Sequence, residues 1–200
     1  MSDSFTQNAE DFKAWSYLIT KAITCAIADM VPTTGQQISI DSIKIGRVNA
    51  IDMPNLLGGP EALAIGSYSV LSGTVNGHIM ISHRPDLALR IMNVNPDTLR
   101  KLNEKEQCAL SELENVLQNA FLGAIEDMLA IPLRPSSPVV LVDKTTALLD
   151  IALTEFLREN DDVFAVETML TINQQTTQGM FIIMLDHNFI QLARNLTVKV

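Results

Sequence analysis

Cysteine is scarce in this chain, with two in 200 residues, Cys25 and Cys108. Neither has a C-x-x-C neighbour, so no zinc knuckle, dithiol redox motif or disulfide framework is encoded. Aromatic residues make up only 5%, with a single tryptophan, and acidic residues outnumber basic ones 23 to 14, for a formal net charge of −9. A chain this poor in positive charge lacks the footprint that phosphate backbones and anionic lipid surfaces require, so neither nucleic acid nor membrane is an expected partner. No run of about 18 apolar residues is present to span a bilayer. The opening MSDSFTQNAEDF is polar and acidic and is not expected to act as a signal peptide. No G-x-x-x-x-G-K-[ST] occurs, which excludes a P-loop, and "LLGGPE" lacks the context of a dinucleotide fingerprint. His78, His83 and His187 show no metal-ligand spacing. His78 and His83 flank a hairpin strand, where solvated or sheet-edge positions are expected.

What is present is an ordinary globular composition, 47% apolar and 18% charged. That content can bury a core without disulfide staples in a domain of this size. A soluble protein of a reducing cytoplasm is the expectation.

Residues 9–31 carry apolar side chains at helical spacing, from Trp15 through Ile19, Ile23 and Ile27 to Met30, until Pro32 and Gly35 break the pattern. "ISIDSIKIGRV", 38–48, alternates with period two and predicts a strand. "NLLGGPEAL", 55–63, predicts a turn entering a short helix. "AIGSYSVLSG" and "NGHIMIS" predict two strands around a hairpin at Asn76-Gly77. "PDLALRIMNV", 85–94, predicts a helix with proline at its front, and the polar 95–107 makes the best internal boundary.

Then the order recurs. A long helix is predicted over about 107–130, ended by Pro132, Pro135 and Pro138; "VVLVDK" is a strand, "TTALLDIALTEFLREN" a helix, "VFAVETMLTI" and "GMFIIML" paired strands, and "NFIQLARNL" a closing helix. "AIADMV" at 26–31 is echoed by "AIEDML" at 124–129, and "GHIMIS" at 77–82 by "GMFIIM" at 179–184. The economical reading is one domain built from two internal repeats, about 9–95 and 107–198. The expected class is α/β (α+β): duplicated helix–strand units related by a pseudo-two-fold axis, forming an antiparallel-rich sheet packed by two long helices.

The second long helix carries the informative face. At about 100° per residue, Glu112, Asn115, Asn119, Glu126 and Cys108 fall within about 60° of one another, opposite Leu110, Leu113, Leu117, Phe121, Ala124 and Met128. Glu112 and Asn115 are neighbours one turn apart. Asparagine is a poor mid-helix residue because it competes for backbone hydrogen bonds, and this helix has two.

Glu112-x-x-Asn115, followed after 22 residues by Pro138, resembles the signature of the CheC/CheX/FliY phosphatases of bacterial chemotaxis. "ALSELENV" is similar to the start of that family's active helix, and "NLLGGPEAL", "VFAVETML" and "FIQLARNL" resemble other parts of the CheC pattern, so the likeness spans nearly the whole chain. It implies hydrolysis of the aspartyl phosphate on a CheY-type receiver. Asn115 would hold the attacking water in line and Glu112 would pair with a receiver lysine. The protein would need no cofactor of its own, because Mg²⁺ belongs to the receiver. Phosphoryl transfer is mostly positioning and electrostatics, so an amide suffices. Cys108, Glu114, Asn119 and Glu126 are the expected partner-binding residues, and the deamidase CheD is a further candidate partner.

The chain departs from the pattern in three places. Cys108 stands where the family has Asp or Ser. Glu114 stands where it tends to have Gly, adding negative charge beside the site. In the first repeat, Ala14 and Tyr17, or Trp15 and Leu18, replace Glu and Asn, so only the second helix is expected to work. Tyr17 and Trp15 are candidates for a surface patch, with core packing favoured for Trp15. The alternative is a CheC-like binding or adaptor protein without catalysis, of the CheD-binding or flagellar-switch type, or one serving a two-component pathway unrelated to flagella. A small-molecule enzyme finds no nucleophile–base pair to support it.

Overall fold

The computed structural model describes residues 9–74, 76–92, 103–159 and 161–185. The elements run α1 (Ala9–Thr34), β1 (Ile38–Asn49), a 3-10 turn (Ala50–Asp52), α2 (Met53–Leu56), β2 (Leu63–Gly73), β3 (Gly77–His83), α3 (Pro85–Ile91), α4 (Glu104–Leu129), β4 (Leu133–Pro135), β5 (Val139–Lys144), α5 (Thr145–Glu155), β6 (Asp162–Ile172) and β7 (Gln175–Leu185).

All seven strands join one sheet in the order β1-β6-β7-β3-β2-β4, with β5 also pairing along β2, and every pairing is antiparallel. Exchanging β1 with β5, β2 with β6 and β3 with β7 leaves the order β1-β6-β7-β3-β2-β5 unchanged. Both faces are covered. On one, α1, α3 and α4 bury Trp15, Ile23, Leu87, Leu113 and Phe121 against sheet residues such as Ile79, Ile81, Phe181 and Ile183. On the other, α2 and α5 bury Met53, Leu57 and Leu148 against Met80, Ile182 and Met184. Central strands therefore stay apolar on both sides, and β3 is buried from Ile79 through His83. Gly66 lets α5 approach β2, since a Cβ there would meet Met80 Cε at 2.6 Å and Leu148 at 3.4 Å.

α1 runs past Pro32 to Thr34 and ends at Gly35, whose φ of 66° lets its N–H reach the Val31 carbonyl at 2.9 Å. α4 begins ahead of the expected residue 107, because Asn103 and Glu106 form a reciprocal capping box. The β6–β7 hairpin turns on Asn173 and Gln174, both at positive φ.

Several sequence expectations are corrected. The helix near residue 55 precedes the glycine turn and does not follow it, since Pro54 sits in the first turn of α2 and Gly58 and Gly59 at φ 110° end it. α5 stops at Glu155. β7 starts four residues earlier than residue 179, where polar Gln175–Gln178 continue the ladder opposite β6. The three-residue β4 was not foreseen. The predicted helix at 188–196 lies outside the described residues. Among the described residues, no helix is long and apolar enough to cross a membrane.

Phe121 is completely buried, whereas Tyr17 is 63% exposed. Phe121→Ala is expected to cost about 3–5 kcal/mol in urea unfolding, and Tyr17→Ala to stay within about 0.5 kcal/mol.

Candidate functional site

The outward face of α4 presents Cys108, Glu112, Asn115 and Asn119, all exposed, as one stripe. Glu126 continues it half-buried, but 11 residues at 1.5 Å each place it about 16 Å along the axis from Asn115, too far to act on the same small group. Glu112 and Asn115 stand side by side, one turn apart. Asn119 Nδ2 donates to Asn115 Oδ1 at 2.9 Å, which fixes the amide plane. The second lone pair of that oxygen and the Asn115 amide N–H groups stay turned to solvent, where they can hold a water. Beside Glu112 opens a cleft of about 160 Å³, walled by Thr33 and Thr34 at the end of α1 with Gln36 beyond it, by Ile91 at the end of α3 with Met92 beyond it, and by α4 itself.

The inner face of α4 is anchored by polar contacts as well as by its leucines. Gln118 Nε2 donates to the Ser67 carbonyl at 3.1 Å, and the Ser69 hydroxyl bonds Gln118 Oε1. The same hydroxyl lies 3.1 Å from the Ser136 carbonyl, which ties the loop leading to Pro138 to the middle of α4. Gln118 and Ser69 are both buried. Sequence reasoning missed them, although Gln118 shares its helix face with Leu110, Leu117 and Phe121.

Glu114 requires a correction. It is fully buried and cannot meet a docked partner. One residue step turns it about 100° from Asn115, onto the sheet side, where its Oε1 lies 2.6 Å from His83 Nε2. His83 is correspondingly neither solvated nor at an edge. Its 2% exposure follows from β3 being central, and its Nδ1 lies 3.0 Å from the Arg84 carbonyl. Burial is the largest influence on His83 and opposes its charge, but the Glu114 charge and hydrogen bond, the Arg84 carbonyl and Asp86 outweigh it and hold the imidazole above its ordinary 6.5. His78 is half-buried, bonded to Tyr68 Oη at 2.6 Å and stacked on Phe156 at 5.6 Å. Trp15 packs in the core against Phe164 and Tyr17 stays outside. Among the described residues, no three His, Cys, Asp or Glu side chains converge on a possible metal position.

No family profile matches the chain. Its fold does match solved structures. Thermotoga maritima FliY aligns over 96% of this chain and 97% of that one, at 15% identity and a TM-score of 0.69. The FliM middle domain from H. pylori aligns over 92% and 97%, at 11% identity and 0.62. The chemotaxis protein CheX from Desulfovibrio desulfuricans aligns over 85% and 99%, at 12% identity and 0.51. The chain thus has the fold of FliY, CheX and the FliM middle domain, the fold implied by its resemblance to the CheC/CheX/FliY family.

Gln118→Leu removes a buried donor and acceptor and with them the side-chain bonds to the Ser67 carbonyl and the Ser69 hydroxyl. The expected loss is about 1–3 kcal/mol, read as a lower urea midpoint with unchanged slope.

Proposed function

We propose that the protein is a phosphatase for the aspartyl phosphate of a CheY-type receiver, working through α4 alone. The observation that carries the reading is the Glu112–Asn115 pair, exposed and adjacent on a helix whose other face is clamped to the sheet. The helix would enter the receiver's active site. Asn115 would hold a water in line with phosphorus. As the water oxygen attacks, the bond from phosphorus to the aspartyl oxygen breaks and inorganic phosphate leaves. Glu112 would pair with a receiver lysine and fix the register, and the receiver's own Mg²⁺ would offset the developing charge. Asn119 would act on Asn115, by orienting its amide. Cys108, next on the stripe, would touch the receiver but hydrogen-bond weakly. Glu126 could contribute only to the outer margin of the docked surface.

The exposed free thiols of Cys25 and Cys108 are compatible with a reducing cytoplasm. The exchange symmetry of the strand order supports the reading of residues 9–95 and 107–198 as duplicated halves of one domain.

A second reading has specific support. The FliM middle domain shares this fold, and one H. pylori FliM structure of the same fold, at a TM-score of 0.54, is a FliG–FliM complex. The first long helix has no Glu-x-x-Asn. A non-catalytic adaptor, with CheD or a flagellar-switch component as partner, is therefore the alternative.

The deciding measurement is the decay of phosphorylated receivers from the host, with Mg²⁺, with and without this protein. Wild type is expected to accelerate decay of at least one receiver. Asn115→Ala should slow that acceleration by about 100-fold, and Asn119→Ala less, with folding intact. Wild type that accelerates none would move the function to binding.

A further inference from the structure

Buried ion pairs are poor stabilisers, since well-packed apolar side chains of similar volume often do as well or better. What such a pair supplies beyond apolar contact is direction. Leucines on the inner face of α4 tolerate small rotations, whereas the 2.6 Å bond from Glu114 to His83 does not. That bond joins α4 to the last residue of β3, between Leu113 and Asn115 in sequence and directly behind the exposed face. His83 is itself held, by the Arg84 carbonyl at 3.0 Å and by the Phe181 ring at 5.7 Å. Glu114 has no second anchor, because its Oε2 is buried without a hydrogen-bond partner. Its side-chain hydrogen bonding to the sheet runs through His83 alone.

We infer that His83 and Glu114 are positioning residues whose pairing, together with the Gln118 contacts one turn further on, sets the rotation of α4 about its own axis and thereby the aim of Glu112 and Asn115, a consequence for catalysis that rests on the phosphatase reading.

The pairing is also pH-dependent, with a definite sign. The Arg84 carbonyl can only accept, so the proton on Nδ1 is committed to it, and the bond to Glu114 is imidazolium to carboxylate. The charged groups facing His83 are Glu114 from α4 and Asp86 at the head of α3, the latter paired with Arg84 at 3.2 Å. β2 and β7 present Ile65 and Phe181 to it. With the folded pKa raised above 6.5, the ion pair is complete below that pH and is lost as pH rises through the folded value. Deprotonation leaves Glu114 buried without a cation.

The test needs no receiver. Cys25 on α1 and Cys108 on α4 are exposed, free thiols, so spin labels on both report the setting of one helix against the other as a pulsed-EPR distance distribution. Wild type at pH 6 is expected to give one narrow distribution. H83L/E114L, apolar but without a directional bond, should broaden or shift it, and H83Q/E114Q, which keeps a neutral hydrogen bond, should restore it. Raising the pH should broaden wild type but not H83Q/E114Q. In receiver dephosphorylation the leucine pair should lower kcat by about 10–100-fold with KM little changed, and the glutamine pair should recover it. A folded H83L/E114L chain with the wild-type distribution overturns the inference. If that chain does not fold, identical pH responses of wild type and H83Q/E114Q overturn it instead. EPR changes as expected, with no receiver dephosphorylated by wild type, would sink the phosphatase reading and leave the clamp standing.

Discussion

Ile79 opposite Leu185, Ile81 opposite Ile183 and His83 opposite Phe181 lie along the antiparallel seam where β3 meets β7. This seam joins the β1-β6-β7 part of the sheet to the β3-β2-β4 part, each of which already pairs strands from both halves of the chain. Because it runs through the centre of the sheet, β3 and β7 must be apolar on both faces, and each face needs its own helical cover. The long helices α1 and α4 then lie together on one side, with α2 and α5 on the other. Without the seam there would be two small open sheets, each with an uncovered apolar edge.

The seam also explains the division of labour on α4. A helix docked on a central, water-free sheet has an inner face where polar groups must be paired and an outer face free to carry any chemistry. The inner face is unusually polar for such a position. Glu114 bonds His83, and Gln118 bonds both Ser67 and Ser69. These contacts are directional, and each adds a constraint on how the helix lies that leucines alone would not. The Ser69–Ser136 contact extends the constraint to the loop before Pro138. Glu112 and Asn115 are thus displayed by a support fixed from beneath.

The departures from the family pattern fit this arrangement unequally. A glutamate in place of glycine at 114 reads in sequence as charge added to the working surface. In the fold it is interior, answered by a histidine 31 residues away. Cys108 remains on the exposed stripe, and α1, which has no Glu-x-x-Asn, carries Tyr17 and Cys25 on its outward side.

Helical and alternating periodicity determined most of the elements and their inward faces, because burial of an apolar stripe is a local property of spacing. The recurrence of "AIADMV" and "GHIMIS" implied one sheet from two related halves, and helical phase placed Glu112, Asn115, Asn119 and Cys108 outward. The same phase placed Glu114 with Leu110, Leu117 and Phe121, and the alternation of β3 placed His83 with Ile79 and Ile81. Both were nevertheless expected outside, Glu114 as a charge facing a partner and His83 as solvated or at a sheet edge, because ionisable side chains are ordinarily exposed. Only the tertiary structure decided that they meet. Whether a buried charge finds its counter-charge depends on which strand lies beneath which turn of helix, and that is set by strand order and register across the whole sheet, which local spacing does not encode.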